Sequence, residues 1–206
     1  MRLLYLLAAF LLPFAGFAQD DFVQGTYELV DGTKAAGLLN FQPGFHSKLF
    51  VKAPAADPTS REGKKGKEYS PEQVRSFDLG SDHYVLMHSI LLNAGMNHAT
   101  KNDDFAKVLE TGKLELLHYQ FSYVDLGIPN AAGIRYNTRN RMMVYLLRLP
   151  GEDKATMVPL GRNYKEMLAT FLSSRPDLVK KLDVPPKSPA EFFPMIRSLV
   201  QEFNAK

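Results

Sequence analysis

From about residue 25 to residue 160, short segments rich in apolar residues are separated by turn residues. This pattern is typical of β-strands joined by turns. Asp31-Gly32 and Thr111-Gly112 lie between alternating segments, and both tolerate the backbone angles of tight turns, so they predict two β-hairpins. The polar stretch 93–104 has no clear period. Strands are predicted at residues 26–30, 34–40, 48–52, 75–79, 83–91, 105–110, 113–123, 137–149 and 155–160.

The period changes to about 3.6 residues after Asn163, where apolar residues follow the spacing of a helix face. This spacing, with Asn163 as a capping residue, predicts an amphipathic helix over residues 164–172. A shorter helix is predicted from Pro176 and a last one after Ser188. Pro194 is expected to restart or kink the last helix, because proline removes an internal hydrogen bond.

Several predicted strands are apolar on both faces, which is unusual for an antiparallel sheet with one wet face. We therefore expect both faces of the central strands to be covered, in part by the C-terminal helices. The predicted fold is α+β: a curved antiparallel sheet or partial β-barrel over residues 25–160, with the helical region 163–204 packed on it. The segment Ser70-Pro71-Glu72-Gln73 predicts one capped helical turn between strands.

The N-terminus has the parts of a secretory signal peptide: Met1 and Arg2, an apolar block over residues 3–14, and small residues that end at Ala18. Cleavage is predicted after Ala18, which leaves residues 19–206 as a single periplasmic or secreted domain. The alternative is a buried or membrane-anchoring helix. It is disfavoured because the apolar run is short for a bilayer and no stop-transfer pattern follows.

The amino-acid composition excludes several classes of protein and of binding site. The chain has no cysteine, which excludes a lipid anchor on an N-terminal cysteine, a disulfide scaffold and thiolate metal sites. The formal net charge is +3, and loss of Arg2 with the leader lowers it by one, to +2. So small an imbalance implies no nucleic-acid partner. The mature chain is predicted to contain no transmembrane segment.

Histidine is the residue type that raises the question of a metal site. His83 and His88 lie five residues apart in one predicted strand, so they are expected on opposite faces, and no helical H-E-x-x-H pair occurs. We therefore predict no metal, no cofactor and ordinary surface histidines. Asp103 and Asp104 are expected to be solvated loop acids. The five histidines are His46, His83, His88, His98 and His118.

Sequence motifs of nucleophilic catalysis and nucleotide binding are missing as well. The chain has no G-x-S-x-G elbow, no S-x-x-K motif and no glycine-rich nucleotide loop after a predicted strand. A binding function therefore has to be sought in polar and aromatic clusters.

One such cluster runs from Arg135 to Arg141. Its guanidinium groups, amides and tyrosine ring suit a polyanionic glycan or a lipid headgroup. We predict Arg135, Tyr136, Arg139 and Arg141 as binding residues. The alternative is a loop that enters a strand with its arginines on the solvated side. The basic run 61–67 is interpreted as a solvated loop.

Several segments resemble uncharacterised exported β-rich proteins of Bacteroidetes-type bacteria. The resemblance covers most of the mature chain, and its motifs are turn and cap signals, so it implies export and a shape but no catalytic residue. The segments are the leader, Gly25 to Lys34, Lys67 to Val74, Phe105 to Lys113 and Ile196 to Asn204.

The predicted function is a cell-envelope protein that serves as a non-enzymatic binding or structural module, with a partner protein or a glycan as its ligand. The alternative is a hydrolase that acts on envelope material through histidines and carboxylates assembled by the fold. A pocket that unites two of these groups would favour the enzyme, whereas an aromatic and arginine surface around Tyr136 would favour binding. The groups are His83, His88, His118, Asp103 and Asp104.

Overall fold

The computed structural model describes residues 22–44, 46–53, 60, 65–94, 97–126, 137–152, 154–159 and 163–205. Within these residues, twelve strands form one open sheet in the order β4-β3-β2-β1-β5-β6-β9-β10-β11-β12-β7-β8. All of the neighbouring pairs in this order are antiparallel except β12 and β7, which are parallel. The strands are β1 (Val23–Leu29), β2 (Lys34–Gln42), β3 (Lys48–Lys52), β4 (Lys67–Tyr69), β5 (Val74–Leu79), β6 (Asp82–Met87), β7 (Ile90–Ala94), β8 (Asn97–Lys101), β9 (Asp104–Glu110), β10 (Glu115–Leu126), β11 (Asn137–Arg148) and β12 (Thr156–Met157).

Both predicted hairpin turns are confirmed. Gly32 has a φ of +87°, and the Leu29 N–H closes the turn on the Thr33 carbonyl at 2.8 Å. Gly112 has a φ of +145°, between β9 and β10. Only glycine adopts such angles without strain, so the turn residues identified in the sequence are the ones that reverse the chain.

The predicted strand 83–91 is wrong, because it divides into β6 and β7. β6 ends at Met87, and Ser89 has a φ of +50°, which bends the chain away from the strand direction. The polar stretch that follows forms β8, so β7 and β8 make a hairpin between β6 and β9, two strands that pair directly. His88 therefore lies in a bend rather than within a strand.

Three C-terminal helices follow the strands, as predicted: α1 (Tyr164–Phe171), α2 (Pro176–Lys181) and α3 (Pro189–Asn204). Of the two effects expected at Pro194, the restart is wrong, since α3 runs through this residue, and the kink stays a prediction. The helical turn after Ser70 is confirmed, and the Ser70 N–H donates to Gln73 Oε1 at 3.0 Å. None of the described helices has the length and apolar character that crossing a membrane requires.

One row of cross-strand partners defines the sides of the sheet. Its members pair in succession across β5, β6, β9, β10 and β11, and in that order they are Phe77, Tyr84, Lys107, His118 and Tyr145. Because directly paired residues point to the same side of a sheet, this row defines face 1, and the opposite side is face 2.

The buried core changes sides along the sheet. Under β1 to β6 it lies on face 1, around Phe77 and Leu39. On β9 to β11 it lies on face 2, around Leu117 and Tyr119. A third cluster joins the helices to one end of β10 and β11 on face 1, around Leu116. Face 1 of β10 is therefore covered by helices at one end and open further along the strand.

The end of α3 is fastened to the β9–β10 turn. Asn204 Oδ1 accepts from the Leu114 N–H at 2.9 Å, and its Nδ2 donates to the Leu114 and Thr111 carbonyls at 2.8 and 3.1 Å. A Cβ on Gly112 would lie 2.4 Å from Asn204 Cγ, so this position has no room for a side chain. The contact holds the C-terminal end of α3 against this turn.

Candidate functional site

A groove of about 350 Å³ opens on face 1 beyond the helices, and we call it the aromatic groove. Strand alternation brings its side chains to one side of β2, β5, β6, β9 and β10. The residues that line it are Phe41, Pro43, Leu79, Tyr84, Phe105, Lys107, His118 and Gln120.

Aromatic rings form the wall of the groove and hold one another in place. Tyr84 stacks on Phe77 with ring centroids 4.7 Å apart and planes 8° apart, and Phe41 lies 5.2 Å from both rings. Phe105 packs edge-on against Phe41 and Phe77. Phe77 and Phe105 are buried, whereas Phe41 and Tyr84 are half-buried. Two rings are thus presented to the groove on a packed support.

Polar side chains border these rings. Lys107 forms an ion pair with Asp82 at 2.7 Å. Burial, and then the charge of Lys107, lower the pKa of His118, so its imidazole is neutral at neutral pH and can both donate and accept a hydrogen bond. Burial, and then Asp82, raise the pKa of Tyr84, so its phenol is neutral as well. Gln120 adds an amide two residues beyond His118.

A second cavity, of about 600 Å³, lies on face 2, and we call it the His–Asp cleft. His83 Nδ1 lies 2.6 Å from Asp78 Oδ1, and His88 Nδ1 contacts Asp103 Oδ1. The prediction that His83 and His88 face opposite sides is wrong, because the strand ends between them and both rings line this cleft. Other lining residues are Glu72, Arg75, Ser76, Val85 and Arg148.

The two histidines are held at separate ends of the cleft. Asp78 on β5 binds the His83 ring, whereas Asp103, just before β9, binds the His88 ring. The four strand steps from His83 to Met87 span about 13 Å. The backbone positions of the two histidines are therefore well separated along the cleft.

The cations of the cleft are neutralised within the protein. Arg75 Nη1 lies 3.4 Å from Glu28 Oε1, and Arg148 Nε lies 2.5 Å from Glu115 Oε2. Arg148 Nη1 also reaches Met87 Sδ at 3.2 Å. These internal pairs leave few strong donors for an anionic ligand.

The adjacent acids Asp103 and Asp104 lie in different environments. Asp104 is fully buried, and it accepts from the Tyr119 hydroxyl and the Phe105 N–H, both at 2.8 Å. Lys101 Nζ lies 3.6 Å away. The expectation of two solvated loop acids is therefore wrong for Asp104, which β9 carries into the core on face 2.

The predicted binding residues are only partly described. Arg135 and Tyr136 lie outside the described residues, and Arg139 is described by its backbone, which pairs with Val124 in the β10–β11 ladder. Arg141 is exposed and pairs with Ser122. By strand alternation, Arg141 lies on face 1, the side that carries the aromatic groove.

The two remaining histidines are exposed or only partly described. His46 is exposed, and His98 is described by its backbone in β8. Among the described residues, no group of three or more His, Asp or Glu side chains could hold one metal ion.

Sequence reasoning missed the aromatic groove, because its residues come from five strands and carry no local motif. Tyr84 looked like an ordinary strand position, and Phe41 came directly after the predicted strand 34–40. Only the register from β2 through β1, β5 and β6 to β9 shows that they share one side with Lys107.

The chain matches no protein-family model, no curated protein and no solved structure. The groove and the cleft are therefore the features from which a function is inferred.

Proposed function

We propose that this protein is an exported cell-envelope module, periplasmic or secreted after cleavage at Ala18, that binds a partner glycan or protein in the aromatic groove without altering it chemically. The observation that carries this proposal is the pair of half-buried rings, Phe41 and Tyr84, on a packed support beside His118 and Gln120. Pockets that bind ligands combine such an apolar wall with a few polar groups.

The packing of the groove favours binding for an energetic reason. Phe41 and Tyr84 are already fixed by their neighbours, so a ligand that covers them orders few side chains. The ligand removes apolar ring surface from water, and it hydrogen-bonds to the imidazole and the amide at the border.

Binding can be tested with immobilised envelope glycan and envelope protein fractions. Tyr84→Ala and Phe41→Ala should each weaken retention by about tenfold, which corresponds to about 1.4 kcal/mol for a lost ring contact. Val184→Ala is the matched control, since Val184 is an exposed apolar side chain outside the groove. Retention that is unchanged in both groove variants would contradict the proposal.

Export is tested separately. N-terminal sequencing of the native protein should find Gln19 as the first residue, and fractionation should place the protein outside the cytoplasm. An intact Met1 in the cytosolic fraction would exclude the envelope role, whatever the groove binds.

The alternative, a hydrolase, has one observation in its favour: the His88–Asp103 pair in the His–Asp cleft. If His88 Nδ1 donates to Asp103, Nε2 is free to act as a general base toward water. Release of products from envelope material should then be lost in His88→Gln and kept in His83→Gln. Equal activity in wild type and His88→Gln would exclude this site.

We also propose that the sheet coils toward a partial barrel. The number of strands supports this curvature, because the twist between neighbouring strands accumulates and a sheet of twelve strands rarely stays flat.

A further inference from the structure

The aromatic groove continues along β10 and β11 on face 1. Beyond the row of His118 and Tyr145, the next rows on this side pair Gln120 with Met143 and Ser122 with Arg141. Two residues along a strand span about 6.8 Å, so the Arg141 row lies about 14 Å from the His118 row. The surface between these rows is open to solvent: Met143 is 59% exposed, and Arg141 is exposed as well.

The side chains along this surface follow a chemical order. Phe41 and Tyr84 present aromatic rings at one end, His118 and Gln120 follow with hydrogen-bonding groups, and Arg141 stands at the other end. Aromatic rings, whose faces are negative, pack well on the C–H groups of a sugar ring, and amides and neutral imidazoles bind hydroxyl groups.

The cations along this surface differ in whether a described acid balances them. Lys107 is balanced by Asp82 at 2.7 Å. Arg141 forms no ion pair with any described residue, in contrast to Arg75 and Arg148 on face 2. Its guanidinium is free to bind a carboxylate or sulfate group in a bidentate manner.

An extended peptide fits this surface less well. At Tyr84 and Lys107, β6 and β9 each pair with a strand on both sides. The backbone groups beneath the aromatic groove are therefore occupied, and a peptide cannot add there as a further strand. Recognition in the groove has to come from side chains, which suits the hydroxyl-rich surface of a sugar chain.

We propose that the ligand of the aromatic groove is an acidic glycan segment, which packs its sugar rings on Phe41 and Tyr84 and extends along β10 and β11 to place an acidic group on Arg141. This inference rests on the proposed binding function and adds the chemical class and direction of the ligand.

The test compares two probes with the same sugar chain, oligogalacturonate and its methyl ester, in which the carboxylates are converted to uncharged esters. Both are titrated calorimetrically into purified protein. Oligogalacturonate should bind more tightly at low ionic strength, and added salt should reduce this difference because the cation is exposed. Arg141→Gln should weaken oligogalacturonate binding by about three- to fivefold and leave the methyl ester unaffected. Tyr84→Ala should weaken both.

Lys180→Gln on α2 is the control, because it removes an exposed cation away from the groove. Its binding of both probes should match that of the wild type. Circular dichroism of Arg141→Gln should also match the wild type, so that a loss of affinity is not a loss of fold.

Three outcomes would overturn the acidic-glycan inference. Equal binding of both probes with no effect of Arg141→Gln would show a neutral glycan site, and the proposed function would stand. Capture of an envelope protein through Tyr84 without glycan binding would also leave the proposed function standing. Arg141-dependent binding to phosphatidylglycerol vesicles, with neither sugar bound, would identify a lipid surface and would contradict the groove function too.

Discussion

The side chains on the two faces of β5 and β6 differ in how completely they engage one another in hydrogen bonds and packing contacts. On face 2, Asp78 accepts from the Thr26 hydroxyl at 2.6 Å and holds the His83 ring at 2.6 Å. On face 1, Phe77 and Tyr84 stack, yet Tyr84 keeps part of its ring open to the groove. The polar side chains of face 2 are paired with one another, whereas part of the aromatic surface on face 1 is open to a ligand. This contrast suggests that a ligand site is better sought where packing is incomplete than where charges are most numerous.

The largest effect is expected at the support of face 1. Phe77→Ala should lower the free energy of unfolding by about 3–5 kcal/mol, because a fully buried ring leaves a cavity beneath Tyr84 and Phe41. Urea unfolding followed by circular dichroism measures the loss. A change below about 1 kcal/mol would mean that the aromatic wall does not depend on this ring.

The buried polar contact on face 2 should have the next largest effect. Tyr119→Phe removes the hydroxyl that donates to Asp104 and should cost about 1–3 kcal/mol, since a buried carboxylate loses a donor. Tyr164→Phe is the matched control, because the Tyr164 hydroxyl is buried without a hydrogen-bond partner. Its loss should be neutral or slightly stabilising. Similar losses in both variants would argue against a specific role for the Asp104 contact.

The pH dependence of stability provides a third comparison. Burial and Lys107 hold the folded pKa of His118 below its usual 6.5, so the unfolded chain binds more protons between the two values. Stability should fall as the pH is lowered through 6.5, with a slope of at most about 1.4 kcal/mol per pH unit from this group. Thermal unfolding of His118→Gln from pH 7.5 to 5 should show a smaller fall than the wild type. An identical profile would contradict the neutral imidazole.

The smallest effect is expected for the paired side chains of face 2. Asp78→Asn should change stability by less than about 1 kcal/mol at neutral pH, because the His83–Asp78 pair is about half exposed. Thr26 and then His83 lower the pKa of Asp78, so its contribution is present above pH 3.8 and is lost as the pH falls through the lower folded value. Unfolding at pH 6 and pH 3 measures the difference, and a larger effect at pH 3 would contradict this sign.

The parts of the fold that depend on local chemistry were predictable. Asp31-Gly32 and Thr111-Gly112 reverse the chain through backbone angles that few residues adopt, and the capped turn after Ser70 and the spacing after Asn163 are equally local. The bend at Ser89 was not predictable, because the apolar residues around it fit a continuous strand.

The site was less predictable than the fold, because it depends on strand pairing. The contacts of Tyr84 with Phe41 and Lys107 follow from the order of the strands, which the alternation of side chains does not specify. Arg141 was identified from the residue types of the segment Arg135 to Arg141. Its position on face 1 follows only from its pairing with Ser122. Asp104 was misjudged because an acidic pair looks the same in sequence whether it is solvated or buried.

The parallel pairing of β7 with β12 has a consequence for the order of folding. The hairpin of β7 and β8 follows β6 in the chain but does not pair with it. It pairs with β12 instead, through Leu91 and Thr156, which are far apart in the chain. Closing so long a loop costs entropy before the contact forms. We expect this hairpin to dock last during folding, and its link to β12 to be among the first to open in amide hydrogen exchange.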